Sequence, residues 1–285
     1  MKIHICADME GTCGVYSWLQ VTPPETPWDD GPVKESEYDR CCRRMTAEVS
    51  AAARGAFSAG ATDVLINDFH DGNRNILIDE LDERCRLVSG GAGPMNFLQG
   101  MTEATAGLFY TGFHSKAGTT ASALSHTWST HLNDLRINGE STGEFGLIAY
   151  CAGAMGVPVL LVTGDQTACD QTEAFLGRPV AKAVVKEGIS QTGAISIHPR
   201  RAQQIIEEKA IEAMALIGKV EPAMLPSNAR VELEYDHQTR AEAAQRHTGC
   251  ERVDARAVAF TAQDGIDLLH KFVTTMRASG VKLSP

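Results

Sequence analysis

Short, uninterrupted apolar runs alternate with longer amphipathic stretches through the first two-thirds of this chain. Runs at Lys2–Ala7, 63–67, 108–112 and 158–163 have the length and near-continuous hydrophobicity of strands buried on both faces. Stretches 35–59, 119–125 and 143–155 predict helices. In the first of these, Met45, Val49, Ala52 and Phe57 recur near helical spacing and Gly60 supplies a stop. Strand-then-helix alternation of this kind predicts an α/β fold, a mostly parallel sheet flanked by helices.

The rhythm changes towards the C terminus. Residues 202–217 read as a helix, which the prolines at 222 and 226 interrupt. A strand at 230–235, a helix at 239–247, a strand at 252–261 and an amphipathic helix at 264–279 follow. This β-α-β-α pattern predicts a smaller C-terminal α/β lobe, dividing the chain into a catalytic, metal-binding domain at 1–195 and a lobe at 196–285. Residues 21–32, rich in Pro, Thr and Asp, read as a surface loop beside the end of the first strand.

Composition narrows the partners. Over 285 residues the formal net charge is −10 and no Lys/Arg stripe stands out, which argues against nucleic acid and anionic membrane. The opening MKIHICADMEG has no signal-peptide apolar region, and no stretch approaches 18 apolar residues, so a cytoplasmic protein is expected. The eight cysteines include no C-x-x-C pair and read as reduced, small core residues rather than a zinc ribbon or thioredoxin motif.

The candidate chemistry clusters where strands end. Asp8 and Glu10 follow the first strand, and two neighbouring carboxylates repel unless a cation or a shared proton lies between them. The second strand leads into Asn67-Asp68-Phe69-His70-Asp71-Gly72, and the third into Gly112-Phe113-His114-Ser115-Lys116. Leu124-Ser125-His126-Thr127 and Asn138-Gly139-Glu140-Ser141-Thr142-Gly143-Glu144 follow. Ligands of open α/β sheets bind beyond the carboxyl ends of the strands. Asp8, Glu10, His70 and His114 are expected to converge there, with Glu144 joining from a helix start. Three carboxylates and two imidazoles suit zinc or a similar divalent ion, and five ligands are about the number two ions with a shared carboxylate require. Asp68 and Asp71 read first as turn formers, Lys116 as a solvated loop lysine, Asp165 as a turn or a border of the site, and Ser89–Gly93 as a flexible loop without the Lys-Ser/Thr of a P-loop.

These segments resemble the D-aminopeptidase family of dipeptide-operon metallopeptidases, peptidase family M55. Its Ser-x-Asp-x-Glu-Gly signature is matched by Cys6–Gly11, with Cys for Ser. Its Asn-Asp-x-His, Gly-aromatic-His, Leu-x-His-Thr and Asn-Gly-…-Gly-Glu elements follow in order at Asn67, Gly112, Leu124 and Asn138. Gly156–Val159, Val162–Asp165, Cys250–Asp254 and Val258–Phe260 extend the likeness over most of the chain. The resemblance implies two zinc ions at Asp8, Glu10, His70, His114 and Glu144, with Asp8 as bridge, and a catalytic role for His126 as nucleophile or acid–base group. It also implies cleavage of an N-terminal D-amino acid from short peptides such as D-Ala-D-Ala, and a ring-shaped homo-oligomer, a decamer, whose chamber admits small peptides.

Two departures bear on transfer. Cys6 replaces the signature Ser, and the loop at 22–31 matches nothing in the family pattern, which leaves substrate preference the least transferable property. Two alternatives stay open: a metal-dependent hydrolase of another amide, an L-peptide or a phosphate ester, and a non-catalytic peptide- or metal-binding protein on the same fold.

Overall fold

The N-terminal apolar run forms an interior strand of a mostly parallel sheet, paired on both sides. The computed structural model describes residues 1–23, 36–91, 93–246 and 249–281. In chain order its strands are β1 (Lys2–Ala7), β2 (Asp63–Asp68), β3 (Cys85–Val88), β4 (Thr105–Phe113), β5 (Leu132–Ile137) and β6 (Glu140–Thr142). They continue as β7 (Val159–Asp165), β8 (Ala181–Ser190), β9 (Gly193–Ser196), β10 (Ala229–Tyr235), β11 (Glu251–Arg252) and β12 (Ala257–Ala262). The helices are α1 (Trp18–Val21), α2 (Glu37–Ser58), α3 (Glu144–Gly153), α4 (Gln166–Leu176), α5 (Pro199–Met214), α6 (Gln238–Ala244) and α7 (Gly265–Ala278).

Seven strands form one sheet in the order β3-β2-β1-β4-β7-β8-β9, parallel except for the β8–β9 pair. A second, antiparallel sheet runs β11-β12-β10-β5-β6. The α/β expectation therefore holds, with a mostly parallel sheet and a smaller second layer.

Alternation along β1 explains the layering. Ile3 and Ile5 face one side, where they are buried with Met45, Val49 and Ala52 of α2 and with Ile206 and Ala210 of α5. Cys6 faces the other side, among Tyr110 of β4, Leu147 of α3, Val231 of β10 and Phe272 of α7. Each such aliphatic side chain contributes about 1.5–3 kcal/mol on burial. The parallel sheet is thus covered on one face by α2 and α5, and on the other by α3, α7 and the antiparallel sheet.

Sheet membership does not follow the expected division at residue 195. β5 and β6 precede that point yet complete the antiparallel sheet through β10. α5 follows it yet packs into the core of the parallel sheet. Chain order misled here because the second layer draws its strands from both parts of the sequence. The expected helix at 119–125 is also absent. Ala121 and Leu124 have φ of 51° and 56°, which no right-handed helix tolerates, and the Leu124 N–H donates to the Gln191 carbonyl at 2.9 Å. The expected strand at 252–261 is two strands, β11 and β12, joined by a turn in which Val253 N–H donates to Ala257 O at 3.1 Å.

The long helix begins later than its periodicity suggested. Ser36 caps it: the Ser36 hydroxyl accepts from Asp39 N–H at 3.1 Å, and the Asp39 carboxylate accepts from Ser36 N–H at 3.0 Å. Glu35, most of the loop expected at 21–32, and His247 lie outside the described residues. Among the described residues no helix is long and apolar enough to cross a membrane.

Candidate metal centre

The site forms where β1, β2 and β4 end. β1 stops at Ala7, so Asp8 and Glu10 are brought together by the turn that follows it, closed by Thr12 N–H on Met9 O at 2.9 Å, and not by strand alternation. Two glycines allow that turn to press against the end of β4. Gly11 N–H donates to Gly112 O at 2.7 Å, and Asp8 N–H to Thr111 O at 2.8 Å. Gly112 has φ +68°, and a Cβ there would collide with the Asp8 carbonyl oxygen; one at Gly11 would collide with the Phe113 carbonyl. This close approach sets both carboxylates beside His114.

His70 follows β2, His114 follows β4, and His126 sits on the loop after them. Glu144 is the first residue of α3. Asp8 offers one oxygen to each of two imidazoles: Oδ1 lies 3.1 Å from His70 Nδ1, and Oδ2 lies 3.3 Å from His114 Nε2. Glu10 Oε2 lies 3.0 Å from His70 Nδ1, and Glu144 Oε1 lies 3.3 Å from His114 Nε2. His126 Nε2 is 3.9 Å from Glu10 and 4.0 Å from Glu144, and its ring stacks on that of His114 with centroids 4.0 Å apart. All five of the residues expected as ligands, and His126, therefore meet in one buried cluster.

The far nitrogens of the three rings reveal how they are aimed. His70 Nε2 donates to the Val21 carbonyl at 2.8 Å, His114 Nδ1 to the Ser115 carbonyl at 2.9 Å, and His126 Nδ1 to the Leu124 carbonyl at 2.8 Å. A carbonyl only accepts, so each of these nitrogens carries the proton. In a neutral ring the remaining nitrogen is a bare lone pair, and all three point at carboxylate oxygens. Lone pairs facing lone pairs repel unless a proton or a cation stands between them. Anchoring the far nitrogen on a carbonyl is how metal-binding histidines are usually oriented. Glu10 Oε2 has no well-directed hydrogen-bond partner although buried. Asp8, Glu10 and His114 offer ligand atoms within 4.8 Å of one another, and so do His114, His126 and Glu144. The donor set fits divalent zinc, which accepts both imidazole and carboxylate.

The side chains of the cluster divide charge unevenly among themselves. Burial and the Glu10 charge push the Asp8 carboxyl up to about 7. Burial alone would raise Glu10, yet His70, His126 and His114 together hold it well below the usual carboxylate range. Glu144 is likewise held low, burial being outweighed by His114 and then His126. Burial opposes a charge on His114, but Glu144 and Asp8 raise it to about 10, while burial and the neighbouring His114 lower His126.

The surrounding residues sort the remaining candidates. Asp68 accepts from the N–H groups of Asn75 and Ile76 at 2.6 and 2.9 Å; it braces the turn after β2 and makes no hydrogen bond to the His70 ring. Asp165 caps α4, accepting from Ala168 N–H at 2.7 Å and the Ser122 hydroxyl at 2.9 Å. The Lys116 side chain is absent from the cavity lining, whereas Gly91 and Gly93 of the glycine-rich loop are part of it. Cys6 is fully buried on the opposite face from Ile5, and burial raises its thiol well above the ordinary range. All eight cysteines are free thiols.

A cavity of about 720 Å³ opens over the cluster. Its aromatic lining is Trp18, Phe69 and Trp128, none of which the sequence singled out as a wall of the site. Trp18 meets the His126 ring edge-on at 5.4 Å, and Trp128 packs on Phe69 at 5.6 Å. Trp128 adopts φ 65°, and this strained backbone turns its N–H onto Glu144 Oε1 at 2.6 Å. Lys186, on β8, was also missed. Its fully buried ammonium group donates to the carbonyls of Glu10, Thr12 and Val15, and so holds the turn that carries the carboxylates.

A mostly parallel α/β sheet with a His/Asp/Glu cluster at its carboxyl edge, under a peptide-sized cavity, defines a metal-dependent hydrolase class. The D-aminopeptidase model of peptidase family M55 matches residues 1–274. The chain is 31% identical to a D-aminopeptidase of Bacillus subtilis (strain 168) over 268 residues, 94% of this chain and 93% of that one. It also superposes on a solved structure described as the Zn-dependent D-aminopeptidase DppA from Bacillus subtilis, a self-compartmentalizing protease. The TM-score there is 0.90, with 29% identity and 99% of each chain covered. The chain belongs to the D-aminopeptidase family of peptidases, and is a hydrolase of the metallo-aminopeptidase class.

Proposed function

We propose that this protein is a zinc-dependent aminopeptidase that removes the N-terminal D-amino acid from short peptides such as D-Ala-D-Ala. The observation that carries this reading is the convergence of three imidazole nitrogens on three buried carboxylates, each ring pinned from behind by a main-chain carbonyl. The zinc-dependent D-aminopeptidase it superposes on supports the choice of metal and of substrate hand. Asp8, Glu10, His70, His114 and Glu144 would hold two ions, with Asp8 shared between them. When bound, zinc supplies Lewis acidity and makes a water molecule nucleophilic near neutral pH.

The protein's own groups do the rest. His126 keeps its Nδ1 proton on Leu124 O and turns Nε2 towards Glu10 and Glu144. Burial disfavours a charge on the ring, and a neutral imidazole placed here can take a proton from the nucleophile and return it to the departing amine. Trp18 packs edge-on against this ring at 5.4 Å and shields that side of it. Trp128 N–H fixes the Glu144 carboxylate, and the Trp128 and Phe69 rings form the wall against which a small side chain rests.

A homo-oligomeric ring, a decamer, in which these cavities face a closed chamber is in keeping with the self-compartmentalizing character of the DppA protease. One experiment tests the activity: amine release from D-Ala-D-Ala and L-Ala-L-Ala, before and after chelation and after zinc return. Metal-restored cleavage of the D-form alone is expected. Cleavage of the L-form, or none of either, contradicts the assigned hand or the assigned reaction.

A further inference from the structure

Four acidic side chains, Asp8, Glu10, Asp71 and Glu144, line the cavity; apart from the imidazoles, its one cationic lining residue among those described is Arg277. Arg277 lies in the last turn of α7, exposed, and its guanidinium makes no hydrogen bond or ion pair to any described residue. This is unusual beside the antiparallel sheet, where Arg136, Arg230 and Arg256 each engage a glutamate at 3.0 Å or less. A helix dipole alone favours a cation at this position. It does not account for the guanidinium's place in the wall of the reaction cavity. α7 is fixed against that wall by Phe272, which meets Trp128 edge-on at 5.1 Å.

Resting on the aminopeptidase reading above, we propose that Arg277 receives the C-terminal carboxylate of the peptide and so makes this chain selective for short peptides with a free acid end. The cleaved bond must sit at the carboxylate–imidazole cluster, and the peptide beyond it must run along the cavity. An extended dipeptide or tripeptide spans only about 7–10 Å. Its far end carries a negative charge that the acidic residues near the cluster repel, and a planar, fork-shaped donor suits a carboxylate. The neutral rim residues Asn96, Ser129 and Thr130 offer hydrogen bonds but no charge.

The test compares D-Ala-D-Ala with its C-terminal amide on the zinc-loaded full chain, in the wild type, Arg277→Gln and Arg277→Lys. The wild type is expected to favour the acid by about 10- to 100-fold in kcat/KM, through KM. Arg277→Gln should bring that ratio close to 1, and Arg277→Lys should restore part of it. An acid-to-amide ratio that Arg277→Gln leaves unchanged overturns the proposal while leaving the aminopeptidase reading intact. Absence of turnover on both substrates contradicts the aminopeptidase reading instead. Calorimetric binding of the same pair then decides the role of Arg277: an acid preference lost in Arg277→Gln supports it, and an unaltered preference overturns it.

Discussion

The Lys186 ammonium group donates to the Glu10 main-chain carbonyl from the floor of the parallel sheet, and this contact ties β8 to the turn that presents the site carboxylates. The same nitrogen reaches Thr12 O at 3.2 Å and Val15 O at 2.6 Å. Burial lowers its pKa to about 8, so the contact costs desolvation and is retained for its geometry. Replacing Lys186 by Met leaves three buried carbonyls without this donor. The expected loss is about 2–4 kcal/mol of stability, given about 1–3 kcal/mol for each buried group left unsatisfied and partial relaxation of the turn. Urea denaturation reads the first effect; weaker zinc retention during dialysis reads the displacement of Glu10. A variant as stable and as well metallated as the wild type contradicts this role.

Glu48 gives a pH dependence of defined sign. Its buried carboxylate accepts from Cys13 N–H at 2.9 Å, and burial raises its pKa from 4.5 to about 7. Below pH 4.5 it is neutral in both folded and unfolded chains. Between 4.5 and 7 the unfolded chain ionises first, so stability falls as pH rises through this window, by at most about 3 kcal/mol. Glu48→Gln keeps an acceptor for Cys13 and has no such charge. Its stability relative to the wild type should therefore improve between pH 5 and pH 7.5, measured by urea denaturation of both proteins. A constant difference across that range contradicts the assignment.

His126 stands apart from the five proposed ligands by function and not by distance, since its Nε2 belongs to the same compact group as His114 and Glu144. Its replacement by Ala should lower kcat by about 100- to 10,000-fold, the usual contribution of a positioned acid–base group. The variant should keep its full zinc content. Loss of an ion together with activity would make His126 a ligand instead, and retention of activity would remove it from the chemistry.

Much of the site was legible because its residues end strands. The apolar runs before Asp8, His70 and His114 each close with a carboxylate or imidazole, and in a parallel sheet such ends must share one edge. What sequence could not show is what reaches that edge from elsewhere. Lys186 lies in Ala-Lys-Ala-Val-Val-Lys, where it looks like one more polar position, and only the sheet order puts β8 beneath the Glu10 turn. Trp18, Trp128 and Arg277 come from a short helix, a strained loop and the last helix, and tertiary packing alone makes them one cavity. β5 and β6 were missed because short strands of mixed polarity on a second sheet lack the continuous apolar signal of β1 or β7. The 119–125 segment misled in the opposite direction, since its Ala, Ser and Leu suit a helix while the φ angles of Ala121 and Leu124 forbid one.

The central proposal is that Asp8, Glu10, His70, His114 and Glu144 would hold two zinc ions, Asp8 being shared. Its most direct measurement is zinc stoichiometry, by elemental mass spectrometry, of the purified full chain and of Asp8→Asn after exhaustive dialysis. The account predicts two ions per subunit in the wild type and at most one in Asp8→Asn. A wild type that binds no zinc, or an Asp8→Asn protein that retains two ions, would contradict it.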